Sequence, residues 1–222
     1  IFIEAGPEIG VASTKALTAQ LSILACLTII ISRKKKSITK KIEEELTTSL
    51  IELPSKFTEV LNNSDDIKAI SKKIINSRSA IFLGRGSCFP IAMEGALKLK
   101  EISYIHAEGY ASGEMKHGPI ALIDNSMPVI VISPKDDLFE KNISNTEEIL
   151  ARGGKVFILT DFSGAEEITN LKKITLKFPV VNNFVMPILY CLPIQLLAYH
   201  TAVLKGTDVD QPRNLAKSVT VE

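Results

Sequence analysis

Beyond Ser79 the chain alternates short, continuous apolar runs with stretches of helical period. Residues 80–84, 127–133, 155–160 and 173–177 read as strands. Residues 90–104, 138–152 and 184–204 read as helices, with Gly153-Gly154 stopping the second of them. Strands without polar alternation are covered on both faces. This order therefore predicts an α/β fold, a doubly wound parallel sheet with helices on both faces, over residues 66–204. The preceding region is mostly helical. Residues 1–5 are strand-like, Gly6-Pro7 is a turn, and Ser13 or Thr14 caps a helix running to about Ser32. Ser37 opens a second helix through Glu43-Glu44-Glu45 that Pro54 ends. Ser64-Asp65-Asp66 opens a third, with apolar positions at Ile67, Ile70, Ile74 and Ile75. No internal repeat is visible.

Composition narrows the class. Hydrophobic residues make up 45% of the chain against 23% charged, which points to a buried core rather than disorder. A net charge of +1 argues against nucleic-acid binding, which needs a sustained basic excess. Cys26, Cys88 and Cys191 are widely spaced in apolar or mixed surroundings, as expected of buried, reduced thiols in a cytoplasmic protein. His106, His117 and His200 are too scattered to suggest a metal cluster. Two runs are long and apolar, residues 16–32 and 184–204. The first is interrupted by Thr18, Gln20, Ser22 and Thr28, the second by Pro187, Pro193, Gln195 and His200. A membrane span wants about 20 apolar residues with few such breaks, so two-sided burial in a soluble core is the expectation. The basic run Arg33–Lys36 with Lys40 and Lys41, followed by Glu43–Glu45, reads as a solvated face. The chain starts at Ile1 with no signal-peptide pattern and reads as a fragment cut inside a domain.

Four stretches carry candidate chemistry. Gly84-Arg85-Gly86-Ser87 follows a strand and opens a helix, where this architecture places a ligand crevice; a plain strand-to-helix turn uses the same residues. Glu94, Lys98 and Glu101 are spaced by four and three, so one helix face presents two carboxylates and an amine. Residues 101–124 read as a long loop rich in acids, His, Tyr and Gly. The polar tail 206–222 has anchors at Val209, Pro212, Leu215 and Val219 that could fold it back and hold Lys217 in a pocket. Glu101, Lys98 and Lys217 are expected to meet beyond the C-terminal end of strand 80–84.

The segments Glu94-Gly-Ala-Leu-Lys-Leu-Lys-Glu-Ile-Ser-Tyr-Ile-His-Ala-Glu108 and Gly113-Glu-Met-Lys-His-Gly-Pro119 resemble the second sugar-isomerase (SIS) domain of the glucosamine-6-phosphate synthase family. Ile9-Gly-Val-Ala-Ser-Thr-Lys15 resembles the end of that family's first SIS domain, and Asp210-Gln-Pro-Arg-Asn-Leu-Ala-Lys-Ser-Val-Thr-Val-Glu222 its C-terminus. Leu17 stands for an aromatic residue, Phe89 for Tyr, Met115 for Leu and Ser112 for Ala, none of them a matched functional group. The resemblance implies residues 1–36 as the end of a first SIS domain, 37–65 as a helical linker, 66–204 as the second SIS domain and 205–222 as an active-site tail.

It also implies an activity: fructose 6-phosphate and glutamine-derived ammonia become glucosamine 6-phosphate, without metal or cofactor. Glu101 would move a proton between C1 and C2, Lys217 would form a Schiff base with C2, and Lys98 would stabilise the developing charge. His117, from a neighbouring subunit, would open the ring. Val11, Ser13 and Ala216 would line the sugar. The partners implied are a second copy in a homodimer and a glutaminase domain of the same parent chain, which these 222 residues do not include. A non-catalytic SIS-type sugar-phosphate sensor is the alternative.

Overall fold

The computed structural model describes residues 1–217, and of residues 172–174 the backbone alone. Three helices lead, α1 (Lys15–Lys34), α2 (Lys40–Asn62) and α3 (Ser64–Ile74). There follow β1 (Ser79–Gly84), α4 (Cys88–Ser103), β2 (His106–Ala111), two short 3-10 turns (Ser112–His117 and Pro119–Leu122) and β3 (Pro128–Ile132). The chain continues through α5 (Phe139–Leu150), β4 (Lys155–Asp161), α6 (Phe162–Glu167), β5 (Thr175–Phe178) and α7 (Met186–Lys205). The strands form one parallel sheet in the order β2-β1-β3-β4-β5. Because the chain winds outward from β1 in both directions, this is the doubly wound sheet expected from the pattern.

Successive side chains of a strand point to opposite faces. Ala80 and Phe82 of β1 accordingly join a core with α3, α4 and α7, while Ile81 and Leu83 join another with α5. Both faces are covered, which is why β1 and β3 are nearly continuous in apolar residues. Gly84 closes β1 where the chain must turn at once into α4. A Cβ there would lie 2.3 Å from the carbonyl oxygen of Cys88. Backbone cannot yield as a flexible side chain can, so Gly84→Ala should cost about 3 kcal/mol of stability, the upper end of ordinary overpacking. Urea denaturation of the full-length protein checks this; an unchanged midpoint would show that the turn can shift.

Several sequence expectations are corrected. Residues 1–5 are not a strand. Ile1 and Phe2 are exposed, Glu4 has φ 50°, and no neighbouring strand pairs with the segment among the described residues. Thr14 occupies the N-cap of α1, but its N–H and hydroxyl both donate to Glu8 instead of its hydroxyl capping the helix. Helix α2 is opened by Thr39, whose hydroxyl accepts from the N–H of Ile42, and it runs straight through Pro54. An internal proline costs about 3 kcal/mol; burial of Leu53 and Val60 on either side, with Phe57 against the same core, opposes that cost. The segment 101–124 is no plain loop, since it holds edge strand β2 and both 3-10 turns. Gly109 in β2 lies so close to α4 that a Cβ would reach 2.6 Å from the Cα of Met93. That glycine and the polar neighbours of an edge position mask the strand pattern.

Two helices, α1 and α7, are long and apolar enough to cross a membrane by length and composition. Helix α7 is mostly buried in the core, as anticipated. Helix α1 is not: Leu24, Ile30 and Ile31 are exposed. Cys26 on the same helix is exposed too, while Cys88 and Cys191 are buried and burial raises both thiols to about 12. The basic run before α2 is solvated, with Arg33 reaching Glu43 at 3.2 Å.

Candidate functional site

Helix α4 starts at the C-terminal end of β1 and runs back antiparallel to the strand. Its apolar face, Ala92, Ala96, Leu99 and Ile102, lies in the core. The opposite spacing brings Glu94, Lys98 and Glu101 together. Lys98 is only 3% exposed, and its Nζ lies 2.6 Å from Oε2 of Glu101 and 3.6 Å from Oε1 of Glu94. Burial raises the Glu94 carboxyl; Lys98 pulls it down, and the charge of Glu101 pushes it up again. A buried ammonium is costly unless paired, so the two carboxylates make it tolerable, and it in turn lets them share one site. Three charged groups on two turns of helix thus form one electrostatic unit.

Beside this unit lies a cavity of 310 Å3. Lys98 and Ile102 of α4 line it, with Gln195 and Tyr199 of α7, residues of the segment Pro7–Lys15 other than Val11 and Ser13, and the tail residues Val209 and Asp210. Glu101 is not itself a lining residue; it reaches the cavity through Lys98. The tail folds back as anticipated. Thr207 Oγ1 donates to the carbonyl of Ile102 at 2.6 Å, Val209 packs on the core and Pro212 is buried. The N–H of Val11 donates to the carbonyl of Asp210 at 2.8 Å. Leu215, however, is 39% exposed, and Val219 lies outside the described residues.

Lys217 donates to the carbonyl of Val11 at 3.2 Å and lies 3.7 Å from Glu8, which lines the cavity. Burial tends to raise the Glu8 carboxyl, but the N–H of Thr14, the hydroxyl of Ser13, the N–H of Ala16 and the charge of Lys217 outweigh it and hold it below its ordinary value. Val11 and Ser13 therefore contact this corner directly. Ala216 is exposed beside Lys217.

The position of the cavity corrects one expectation. It does not lie beyond the C-terminal end of β1. Lys98 is ten residues along α4 from Cys88, about 15 Å at 1.5 Å per residue, on the way back to the strand's start. The turn Gly84–Ser87 lies at the other end of that helix, and there Arg85 donates to Asn145 at 2.7 Å. The glycines of that turn have structural work: Gly86 has φ 53°, and Gly84 abuts the first turn of α4.

His117 is not brought to the cavity within this chain. It ends the 3-10 turn Ser112–His117 and is exposed on the side of the sheet facing α5. Its segment is also better held than its composition suggests: Met115 is fully buried, and Lys116 pairs with Glu148 at 2.7 Å.

Sequence reasoning left three participants without a role. Glu94 was visible on the right face by its spacing from Lys98. Glu8 and Tyr104 gave no local signal as site residues, because Lys217 and Arg213, which tie them to the tail, are far along the chain. The backbone N–H of Arg213 donates to the Tyr104 hydroxyl at 2.8 Å, and the Arg213 guanidinium lies 4.2 Å from the centre of the Tyr104 ring.

Comparison with known proteins gives this geometry a context. Residues 73–205 match the SIS domain family. The chain is 58% identical over 218 residues to a glutamine–fructose-6-phosphate aminotransferase (isomerizing) of Brucella abortus, and 56% identical over 220 residues to one of Gluconobacter oxydans. These matches cover 98% and 99% of this chain but only 36% of each relative, so the chain spans about a third of their length. Among solved structures it resembles the C-terminal domain of glucosamine-fructose-6-phosphate aminotransferase from Francisella tularensis, with TM-score 0.91 and 46% identity, over 94% of this chain and 58% of that one. A glucosamine-6-phosphate deaminase from Thermotoga maritima shares the fold at TM-score 0.63 and 23% identity, over 96% of this chain and 58% of that one.

Proposed function

Because the chain belongs to the SIS domain family, we propose that it is the isomerase part of an aminotransferase that makes glucosamine 6-phosphate from fructose 6-phosphate and glutamine-derived ammonia. The observation that carries this reading is the buried Lys98 held between Glu94 and Glu101, beside a cavity that Lys217 borders through Glu8. A module that only binds sugar phosphate has no use for that arrangement.

In this reading the amine of Lys217 attacks the C2 carbonyl of the open-chain sugar, and water leaves as the imine forms. Ammonia then displaces Lys217 and leaves a free imine at C2. Glu101 takes a proton from C1, the electron pair moves into a C1–C2 double bond, and the imine nitrogen gains a proton. Return of the first proton to C2, with loss of the C1 hydroxyl proton, makes C1 an aldehyde and leaves the amine on C2. Lys98, paired with Glu101 at 2.6 Å, orients that carboxylate and offsets the charge that develops on the sugar. The scheme needs no metal or organic cofactor.

Val11, Ser13 and Ala216 line the sugar, and His117 of a second copy opens its ring, in a cytoplasmic homodimer. A glutaminase domain of the same parent chain supplies the ammonia. Residues 1–36 are the end of a first SIS domain, 37–65 a linker, 66–204 the second domain and 205–222 the tail that closes the site.

Borohydride reduction tests the central step. Full-length protein mixed with fructose 6-phosphate, without glutamine, should carry the sugar covalently on Lys217, located by peptide mass. The Lys217→Ala variant should carry none. Absence of the adduct from Lys217 in the native protein would end this reading.

A further inference from the structure

Tyr104 has two features that the proposed chemistry leaves unexplained. It follows the last residue of α4 in a left-handed conformation, φ 59° and ψ 17°, which a bulky side chain adopts only when its surroundings hold it there. Its side chain also holds the tail twice over. The hydroxyl accepts from the backbone N–H of Arg213 at 2.8 Å, and the ring takes the Arg213 guanidinium over its face at 4.2 Å.

The tail's other attachments all come earlier. Thr207 is tied to Ile102, Val209 packs on the core, Asp210 accepts from Val11, and Pro212 is buried. Between Arg213 and Lys217, the only further backbone bond among the described residues is a turn from Leu215 to Pro212. Asn214 has φ 62°, and residues 214–217 are exposed. Tyr104 is thus the last side chain from outside the tail that grips it before Lys217 makes its own contacts, four residues on. It also stands one helical turn beyond Glu101. A single helix end therefore carries the proposed base and the grip on the strand of chain that presents the proposed amine.

We infer that Tyr104 is a positioning residue: its ring and hydroxyl clamp Arg213 and so set where Lys217 meets the sugar relative to Glu101. This rests on the Schiff-base reading of Lys217. The clamp acts through the tail and touches neither sugar nor ammonia. Loss of the hydroxyl alone should weaken it, and loss of the ring should release it.

The test uses the full-length protein with Tyr104→Phe and Tyr104→Leu. With saturating fructose 6-phosphate and borohydride, Tyr104→Leu should trap the Lys217 adduct about tenfold more slowly than the native protein, with Tyr104→Phe between them. Trypsin provides a readout independent of chemistry. Cleavage after Arg213 requires the tail to leave its dock, so it should be faster in Tyr104→Leu and nearly native in Tyr104→Phe. Glutamine hydrolysis and the thermal midpoint report whether the variants are folded; should Tyr104→Leu fail to fold, Arg213→Gln removes the stacked cation from the other side and should slow trapping in the same way. Native trapping and tail cleavage in Tyr104→Leu, or native trapping in Arg213→Gln where that replaces it, would overturn the clamp. Failure of the unmodified protein to trap sugar on Lys217 would instead remove the Schiff-base reading, and this inference with it.

Discussion

Replacing Glu101 by Gln should lower glucosamine 6-phosphate formation by the full-length protein about 10²- to 10⁴-fold while glutamine hydrolysis continues, the range expected when a positioned base is lost. The substitution keeps the size and shape of the side chain. It also keeps an oxygen that can accept from Lys98, now at 2.6 Å from Oε2 of Glu101. Lys98 retains Glu94 at 3.6 Å as an anionic partner, so the buried ammonium is not stranded and the fold should survive. What disappears is the capacity to take a proton from C1. Assay of both half-reactions on one preparation separates this from general damage. Sugar amination within a few-fold of native would remove Glu101 from the role of base.

The second large effect is restored activity in mixed dimers. His117 is exposed on the α5 side of the sheet, whereas the cavity lies beside α4 and α7 on the other. Within one chain the two cannot work together. Met115 and Lys116 fix the segment that carries His117 to its own domain, so it can serve as a rigid projection toward a second copy. A closed two-fold pair would then complete two sites at once. Full-length His117→Ala and Lys217→Ala homodimers should each be nearly inactive in forming glucosamine 6-phosphate. Mixed in equal amounts under conditions of subunit exchange, half the dimers carry one of each chain, and each of these has one intact site of two. Activity should rise to about a quarter of native. A mixture no more active than either parent, with exchange confirmed by mass, would place His117 outside the shared site.

Much of this was legible before any coordinates. The central strands β1, β3 and β4 could be read because burial on both faces leaves continuous apolar runs that a short window of sequence displays. The unit of Glu94, Lys98 and Glu101 was visible because helical geometry converts spacings of three and four into proximity without help from the rest of the fold. The return of the tail was anticipated from Val209 and Pro212, although Leu215 proved exposed.

The remainder depended on partners distant in sequence. Edge strand β2 is a strand because β1 offers it a ladder; His106, Glu108 and Gly109 have little tendency of their own to extend. Helix α2 passes Pro54 because neighbouring residues are buried, a gain that no local rule for proline contains. The cavity lies near the far end of α4 from the glycine turn because the helix runs antiparallel to β1, and helix direction relative to a sheet is a property of topology. Glu8, Tyr104 and Val11 are tied to the tail through contacts with residues 210–217, about 110 to 210 positions away. Local pattern determined which groups could act as a unit along one helix, because their separation is set by the backbone between them. Which groups meet across the chain was decided by packing, since those separations exist only once both cores have formed.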